Sequence, residues 1–206
     1  DKVKQTLTLV RDAFGIKPIF YTVKENSFYF SSEILPLLKL SKHKFEFNYQ
    51  RSYDYLINSI QDSGSDTFIK NIFHLPQAHY LQFNLNSFKN FKAEPWWIPI
   101  IEETCTLSFN QASEKLRDLF LSSVRLSMRS DVPLGIALSG GIDSSSIACC
   151  ARKIEPQIDL YTFSYISKYN KYSEENWIDE INLSIGAIDN KIRIDSKDLD
   201  SDINNL

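Results

Sequence analysis

Residues 134–148 have the sequence LGIALSGGIDSSSIA, which predicts a buried strand, a tight turn and the start of a helix. The run from Leu134 to Leu138 has no polar side chain, as is typical of a central strand in a parallel sheet, and a helix-compatible segment follows from Ser144 to Ile154. Between them, Gly140 and Gly141 allow backbone conformations closed to other residues and let main-chain N–H groups approach a ligand.

The predicted turn has the chemistry of a phosphate site. N–H groups at the start of a helix favour an anion, and the hydroxyl groups of Ser139, Ser144 and Ser145 add donors. Asp143 is the exception, because a carboxylate repels phosphate unless a cation lies between them. Asp143 therefore predicts a Mg²⁺ ion that bridges to the phosphates. The alternative is a purely structural turn in which the serines occur by chance.

The glycine pattern differs from the two common nucleotide fingerprints, since it has neither Gly-Lys-Ser/Thr nor Gly-x-Gly-x-x-Gly. Ser-Gly-Gly-Ile-Asp-Ser at 139–144 resembles the pyrophosphate loop of the ATP pyrophosphatase superfamily, whose enzymes adenylate a carbonyl oxygen. With Ser-Asp-Val-Pro at 130–133, the segment is similar to the start of the synthetase domain of glutamine-dependent asparagine synthetases. The resemblance implies ATP and Mg²⁺ as ligands.

The same resemblance implies which residues bind the nucleotide. In that family the adenine is held by the backbone just before the loop and at the end of the next strand, and these positions match Leu138 and Tyr165. Tyr165 could equally be only an aromatic residue at a strand end. Asp143 is the implied metal residue, and no catalytic residue is identified. The implied nucleotide-binding set is Leu138, Ser139, Gly140, Gly141, Asp143, Ser144 and Tyr165.

The first part of the chain resembles the later portion of the glutaminase domain of the same synthetases. Residues 11–18 read RDAFGIKP, residues 30–34 read FSSEI, and residues 75–81 read LPQAHYL, similar to the opening of the last glutaminase strand. The family's nucleophile is an amino-terminal cysteine, whereas residue 1 is aspartate and no cysteine precedes Cys105. We therefore expect the chain as given to have no glutaminase activity.

Two domains are predicted. Residues 1–94 would be the C-terminal part of a class II glutamine amidotransferase domain, and residues 95–206 the N-terminal part of the pyrophosphate-loop domain of an asparagine synthetase. The implied fold is α/β and α+β: a remnant of an α/β/β/α sandwich, then the start of a doubly wound parallel sheet of the adenine nucleotide α hydrolase type. Because key family residues fall outside it, the chain is expected to be an internal fragment or a truncated gene product.

Helical periodicity predicts two amphipathic helices. One covers residues 49–60, and the other is a long helix that begins with a capping box formed by Ser108 and Gln111. The predicted apolar faces are Tyr49, Tyr53, Leu56, Ile57 and Ile60 in the first, and Leu116, Leu119, Phe120, Val124 and Met128 in the second.

Composition and charge argue against several functions. A net charge of −3, from 23 basic and 26 acidic residues, favours binding to neither nucleic acid nor an anionic membrane. With no long apolar run and no signal peptide, the chain is predicted to be cytoplasmic. The cysteines are predicted to be reduced and buried, and neither they nor the histidines have metal-ligand spacing. These residues are Cys105, Cys149, Cys150, His43, His74 and His79.

The leading hypothesis is a ligase that adenylates a carboxylate, such as aspartate, with Mg-ATP and forms an amide with ammonia from glutamine. One alternative is a relative that uses an amine of its own substrate, such as a lasso-peptide cyclase or a β-lactam synthetase. Another is a non-catalytic truncated remnant. The implied partners are these small molecules and a second copy of the chain in a homodimer.

Overall fold

The computed structural model describes residues 1–42, 44, 46–61, 64–86, 91–101, 105–167 and 173–193. The chain is a mixed α/β protein with three small sheets and five helices in the described part. It divides into two compact units, Asp1–Glu103 and Thr104–Leu206. None of the helices in these residues is long and apolar enough to cross a membrane.

The first unit contains two antiparallel three-stranded sheets and two helices. One sheet has the order β1-β5-β6 and the other the order β3-β2-β4. Their bounds are β1 Thr6–Val10, β2 Phe20–Lys24, β3 Ser27–Ser31, α1 Ile34–Ser41, α2 Tyr49–Asn58, β4 Phe73–His74, β5 His79–Asn84 and β6 Glu94–Pro95.

Side chains from both of these sheets share one core. Leu9 and Leu81 of the first sheet cluster with Tyr21 of the second, and Phe28 stacks on Tyr21. Helix α1 packs through the fully buried Leu37 on a separate cluster that includes Phe20 and Tyr29 of the β2–β3 hairpin. The β2–β3 hairpin therefore has apolar contacts on both faces.

A buried arginine holds the turn that follows β1. The guanidinium of Arg11, which is only 8% exposed, donates to the carbonyl oxygens of Lys17 at 3.1 Å, Leu75 at 2.8 Å and Gly15 at 2.8 Å. The Asp12 carboxylate accepts from the backbone N–H groups of Lys17 and Ile16, and these hydrogen bonds lower the pKa of Asp12. The motif at 11–18 thus has a structural role as a closed turn.

The second unit contains a parallel sheet of three strands in the order β7-β8-β9. Helix α4 connects β7 to β8, and α5 connects β8 to β9, as in consecutive βαβ units. The predicted capping box of Ser108 and Gln111 is confirmed at the start of α3. The bounds are α3 Phe109–Ser127, β7 Gly135–Ala137, α4 Ile142–Ile154, β8 Tyr161–Tyr165, α5 Glu175–Ile185 and β9 Ile188–Ile192.

Strand β7 differs from the predicted buried central strand. In the described residues it lies at the edge of the sheet, and Gly135 and Ala137 are exposed. Gly135 faces its neighbour β8 so closely that an added Cβ would lie 2.9 Å from the ring of Phe163. Apolar composition therefore identified the strand, but it could not tell which strands flank it.

Two predicted apolar faces are wholly or partly exposed. Tyr49 is 76% exposed and Leu56 is 74% exposed in α2, where only Arg51 is buried. In α3, Leu116 and Leu119 are exposed, whereas Val124 is buried and contacts the core together with Phe120 and Met128. Helix α2 ends at Asn58, so the predicted Ile60 lies beyond it. The periodicity did not show which turns of either helix are covered.

We expect Arg11→Ala to destabilise the first unit, because three carbonyl oxygens lose a charged donor. The free energy of unfolding should fall by at least about 2 kcal/mol. Arg11→Lys should recover only part of this lost free energy, since an ammonium group cannot reproduce the planar set of donors of a guanidinium group. Urea unfolding followed through Trp96 and Trp97 in a Trp177→Phe background measures this effect.

The matched control for this measurement is Lys17→Ala, which removes an exposed cationic side chain from the same turn. It should change the free energy of unfolding by no more than about 0.5 kcal/mol. Equal effects of Arg11→Ala and Lys17→Ala would contradict the structural role of Arg11.

Candidate functional site

The glycine loop follows β7 and leads directly into α4. Leu138 donates its N–H to the carbonyl oxygen of Phe163 at 2.9 Å, which aligns the loop with the end of β8. Gly140 has φ +84°, in the left-handed region that favours glycine. Gly141 is the N-cap of α4 with φ −72°, which any residue adopts, so the prediction of a special conformation is wrong for Gly141.

Two serine hydroxyl groups hold the loop closed. The Oγ of Ser144 accepts from the N–H of Ser139 at 3.2 Å and lies 3.1 Å from the Oγ of Ser139. The N–H of Gly141 donates to the Oγ of Ser139 at 3.3 Å. The predicted donors Ser139 and Ser144 are therefore brought together. The Oγ of Ser145 is buried without a hydrogen-bond partner in the described residues, and it does not share this network.

The start of α4 supplies free donors and one carboxylate. The helix begins at Ile142, two residues before the predicted start, and this places Asp143 in its first turn. The first N–H groups of a helix have no acceptor within it, and Gly141 has no side chain that could cap them. The exposed Asp143 has no ion pair within the described ranges. This donor set fits a nucleotide phosphate with a divalent cation at Asp143.

A cleft of about 320 Å³ opens beside the loop at the carboxyl ends of β7 and β8. Leu138 lines the cleft although it is only 1% exposed, whereas Tyr165 is 62% exposed. The cleft thus brings the two predicted adenine positions together with the loop residue Ser139. Its lining residues are Ala137, Leu138, Ser139, Phe163, Tyr165, Ser167 and Glu174.

The sequence analysis missed Glu174, which lies immediately before α5. A Cβ added to Gly140 would lie 3.3 Å from the Cβ of Glu174, from its carbonyl oxygen and from the Cβ of Trp177. The start of α5 therefore packs directly on the loop. The only sequence signal for Glu174 was its place at the predicted start of a helix.

Ion pairs fix the start of α5 to strand β9. The Nζ of Lys191 lies 2.9 Å from Glu175 and also pairs with Asp179, while Arg193 lies 2.5 Å from Glu175. The hydrogen bond from Lys191 lowers the pKa of Glu175, and the hydrogen bond to Asp179 raises the pKa of Lys191. Because its pKa is lowered on folding, ionised Glu175 adds to the free energy of unfolding. This contribution is complete above the pKa that Glu175 has in the unfolded chain, and it is lost as the pH falls through the pKa in the folded protein.

The cysteines and histidines form no site in the described part of the chain. Cys105 and Cys149 are exposed and Cys150 is half-buried, so the prediction of buried thiols is wrong. His74 and His79 contact the backbone carbonyl oxygens of Gly64 and Gln77, and His43 lies outside the described residues. The described residues contain no group of three or more His, Cys, Asp and Glu side chains that could hold a metal ion.

Two protein families match this chain in the order that the motifs indicated. Residues 1–97 match the glutamine amidotransferase domain, and residues 115–206 match asparagine synthase. The chain belongs to the asparagine synthetase family. Within this family it is 33% identical over 183 residues to asparagine synthetase [glutamine-hydrolyzing] 2 of Bacillus subtilis, a match that covers 85% of the chain and 24% of that relative.

Other relatives carry two kinds of name. Asparagine synthetase [glutamine-hydrolyzing] 3 of Bacillus subtilis is 30% identical over 213 residues, which cover 97% of the chain and 34% of the relative. Amidase chry2 of Gibberella zeae is 30% identical over 155 residues, which cover 72% of the chain and 22% of the relative. The chain thus spans about a quarter to a third of the length of these family members.

We expect Gly140→Ala to destabilise the second unit more than Gly186→Ala does. Both glycines have positive φ, but only Gly140 has neighbours that a Cβ would meet. The left-handed conformation should cost each variant about 1 kcal/mol, and crowding against Glu174 should add about 1 kcal/mol or more at Gly140. Urea unfolding followed through Trp177 measures both. Equal losses would show that the start of α5 does not restrain the loop.

Proposed function

We propose that the protein is an ATP-dependent carbon–nitrogen ligase of the asparagine synthetase type. The observation that carries the proposal is the glycine loop, which joins a strand to the free amides and Asp143 at the start of α4, and whose Ser139 lines a cleft at the carboxyl ends of two parallel strands. Ligands in open α/β sheets bind at this edge. The reaction would adenylate a carboxylate, and ammonia would then displace AMP to give an amide.

The proposed roles of the residues follow from their positions. The amides at the start of α4, with the hydroxyl groups of Ser139 and Ser144, would hold the β and γ phosphates. Asp143 would hold Mg²⁺, which neutralises the charge of the leaving pyrophosphate. The backbone at Leu138 and Tyr165 would hold the adenine at the other side of the cleft.

The domain assignment is part of the proposal. Residues 1–94 would be the end of the amidotransferase domain, because two sheets share a core there and α1 packs on the outer face of one, as in an α/β/β/α sandwich. Residues 95–206 would be the start of the doubly wound synthetase sheet, because β7, β8 and β9 are parallel and joined by helices.

The ammonia donor and the carboxylate are proposed from the relatives' names. The family members named glutamine-hydrolysing asparagine synthetases support glutamine and aspartate. Two relatives are instead named amidases, which supports, as a second candidate, an enzyme that cleaves an amide bond. The complete gene product should release AMP and pyrophosphate from ATP only when its carboxylate is present. ADP as the product would contradict the proposal.

We expect Asp143→Ala to weaken Mg-ATP binding by the complete gene product. Loss of a charge-assisted contact should lower the affinity about tenfold or more, while ATP with excess chelator should bind both proteins equally weakly. Isothermal titration calorimetry with and without Mg²⁺ measures this.

Glu114→Ala is the charge-matched control, because Glu114 is exposed on α3 and does not line the cleft. It should leave the affinity for Mg-ATP unchanged. If the unaltered protein binds ATP equally well with and without Mg²⁺, Asp143 does not bind the metal ion.

A further inference from the structure

Glu174 lines the cleft and is exposed, and its carboxylate has no hydrogen bond or ion pair to another described residue. It is the N-cap residue of α5, yet its side chain makes no capping hydrogen bond. The neighbouring acids differ from it, because Glu175 and Asp179 both pair with Lys191. Glu174 is thus a carboxylate whose hydrogen-bonding capacity is directed to no other group of this helix.

The backbone of Glu174 is held firmly although its side chain is not. Its carbonyl oxygen accepts from the N–H groups of Trp177 at 3.0 Å and Ile178 at 3.1 Å. The same oxygen lies 3.3 Å from the place that a Cβ on Gly140 would occupy. Backbone packing therefore sets the distance between Glu174 and the glycine loop, and a ligand in the cleft would be within reach of its side chain.

The chemistry of the cleft selects the group that Glu174 can contact. Glu174 shares the cleft with Ser139 at the phosphate side and Tyr165 at the base side, whereas Asp143 does not line it. A carboxylate repels phosphate oxygens when no cation lies between them. A favourable partner is an uncharged hydrogen-bond donor, and the ribose hydroxyl groups are the donors that lie between the base and the phosphates of a nucleotide.

We propose that Glu174 accepts hydrogen bonds from the ribose hydroxyl groups of ATP and thereby selects ribonucleotides over deoxyribonucleotides. This inference rests on the proposed function, because it assumes that ATP occupies the cleft. An acidic residue that accepts from ribose hydroxyl groups is an established solution in other nucleotide-binding α/β folds. Glu174 is exposed, so the discrimination rests on the hydrogen bond that the analogue without the hydroxyl cannot donate to the carboxylate.

The test measures dissociation constants of ATP, 2′-deoxyATP and 3′-deoxyATP for the complete gene product in the presence of Mg²⁺. The unaltered protein should bind at least one deoxy analogue about tenfold or more weakly than ATP. Glu174→Ala should lose about tenfold in affinity for ATP and almost none for that analogue. The ratio of the dissociation constant of the analogue to that of ATP should therefore approach one. Glu174→Gln should keep part of the preference, since the amide oxygen still accepts.

The control is Glu180→Ala, which removes an exposed carboxylate from the same helix outside the cleft and should change neither affinity nor ratio. A Glu174→Ala variant that weakens ATP and both analogues equally would show a structural role for Glu174 and overturn the inference. A Glu174→Ala variant that prefers ATP over the analogue as strongly as the unaltered protein does would overturn it as well. If the unaltered protein binds no Mg-ATP, the proposed function fails first and the inference fails with it. Mg-ATP binding with no preference among the three nucleotides overturns only the inference.

Discussion

The close approach of Gly140 to the start of α5 is the constraint on which the nucleotide site depends. Gly140 turns in the left-handed region, and Glu174 and Trp177 occupy the space that a side chain at Gly140 would need. The turn lets α4 begin at Ile142 with free amides, while the contact brings a second helix to the same edge of the sheet. Strands β7 and β8 and the start of α5 therefore line one cleft beside the glycine loop.

Arginine side chains stabilise loops in both units through backbone carbonyl oxygens. Arg11 collects three such oxygens in the first unit. Arg152 in α4 does the same in the second unit, where it donates to Ile185, Pro156, Ile158 and Gly186. Arg152 is thus engaged near the carboxyl end of α4, away from the glycine loop at the start of the helix.

Much of the fold was predictable because its signals are local. The glycine turn marked the change from β7 to α4, and the capping box marked the start of α3. Predictions of burial failed, because burial depends on elements that are distant in sequence. Tyr49 and Leu116 lie on apolar helix faces but are exposed, and Cys149 is exposed on α4. Periodicity places side chains on one face of a helix, but only the packing of other elements determines whether that face is buried.

The sequence by itself determined the strand, glycine turn and helix of the loop, because they form a pattern of adjacent residues. It also determined the family, since the motifs of both halves are contiguous. Only the tertiary structure decided that Glu174 faces the cleft and that β7 lies at the sheet edge in the described residues. The reason is separation along the chain: Glu174 and Gly140 lie far apart in sequence, and parallel strand pairing with its crossover helices brings them into contact.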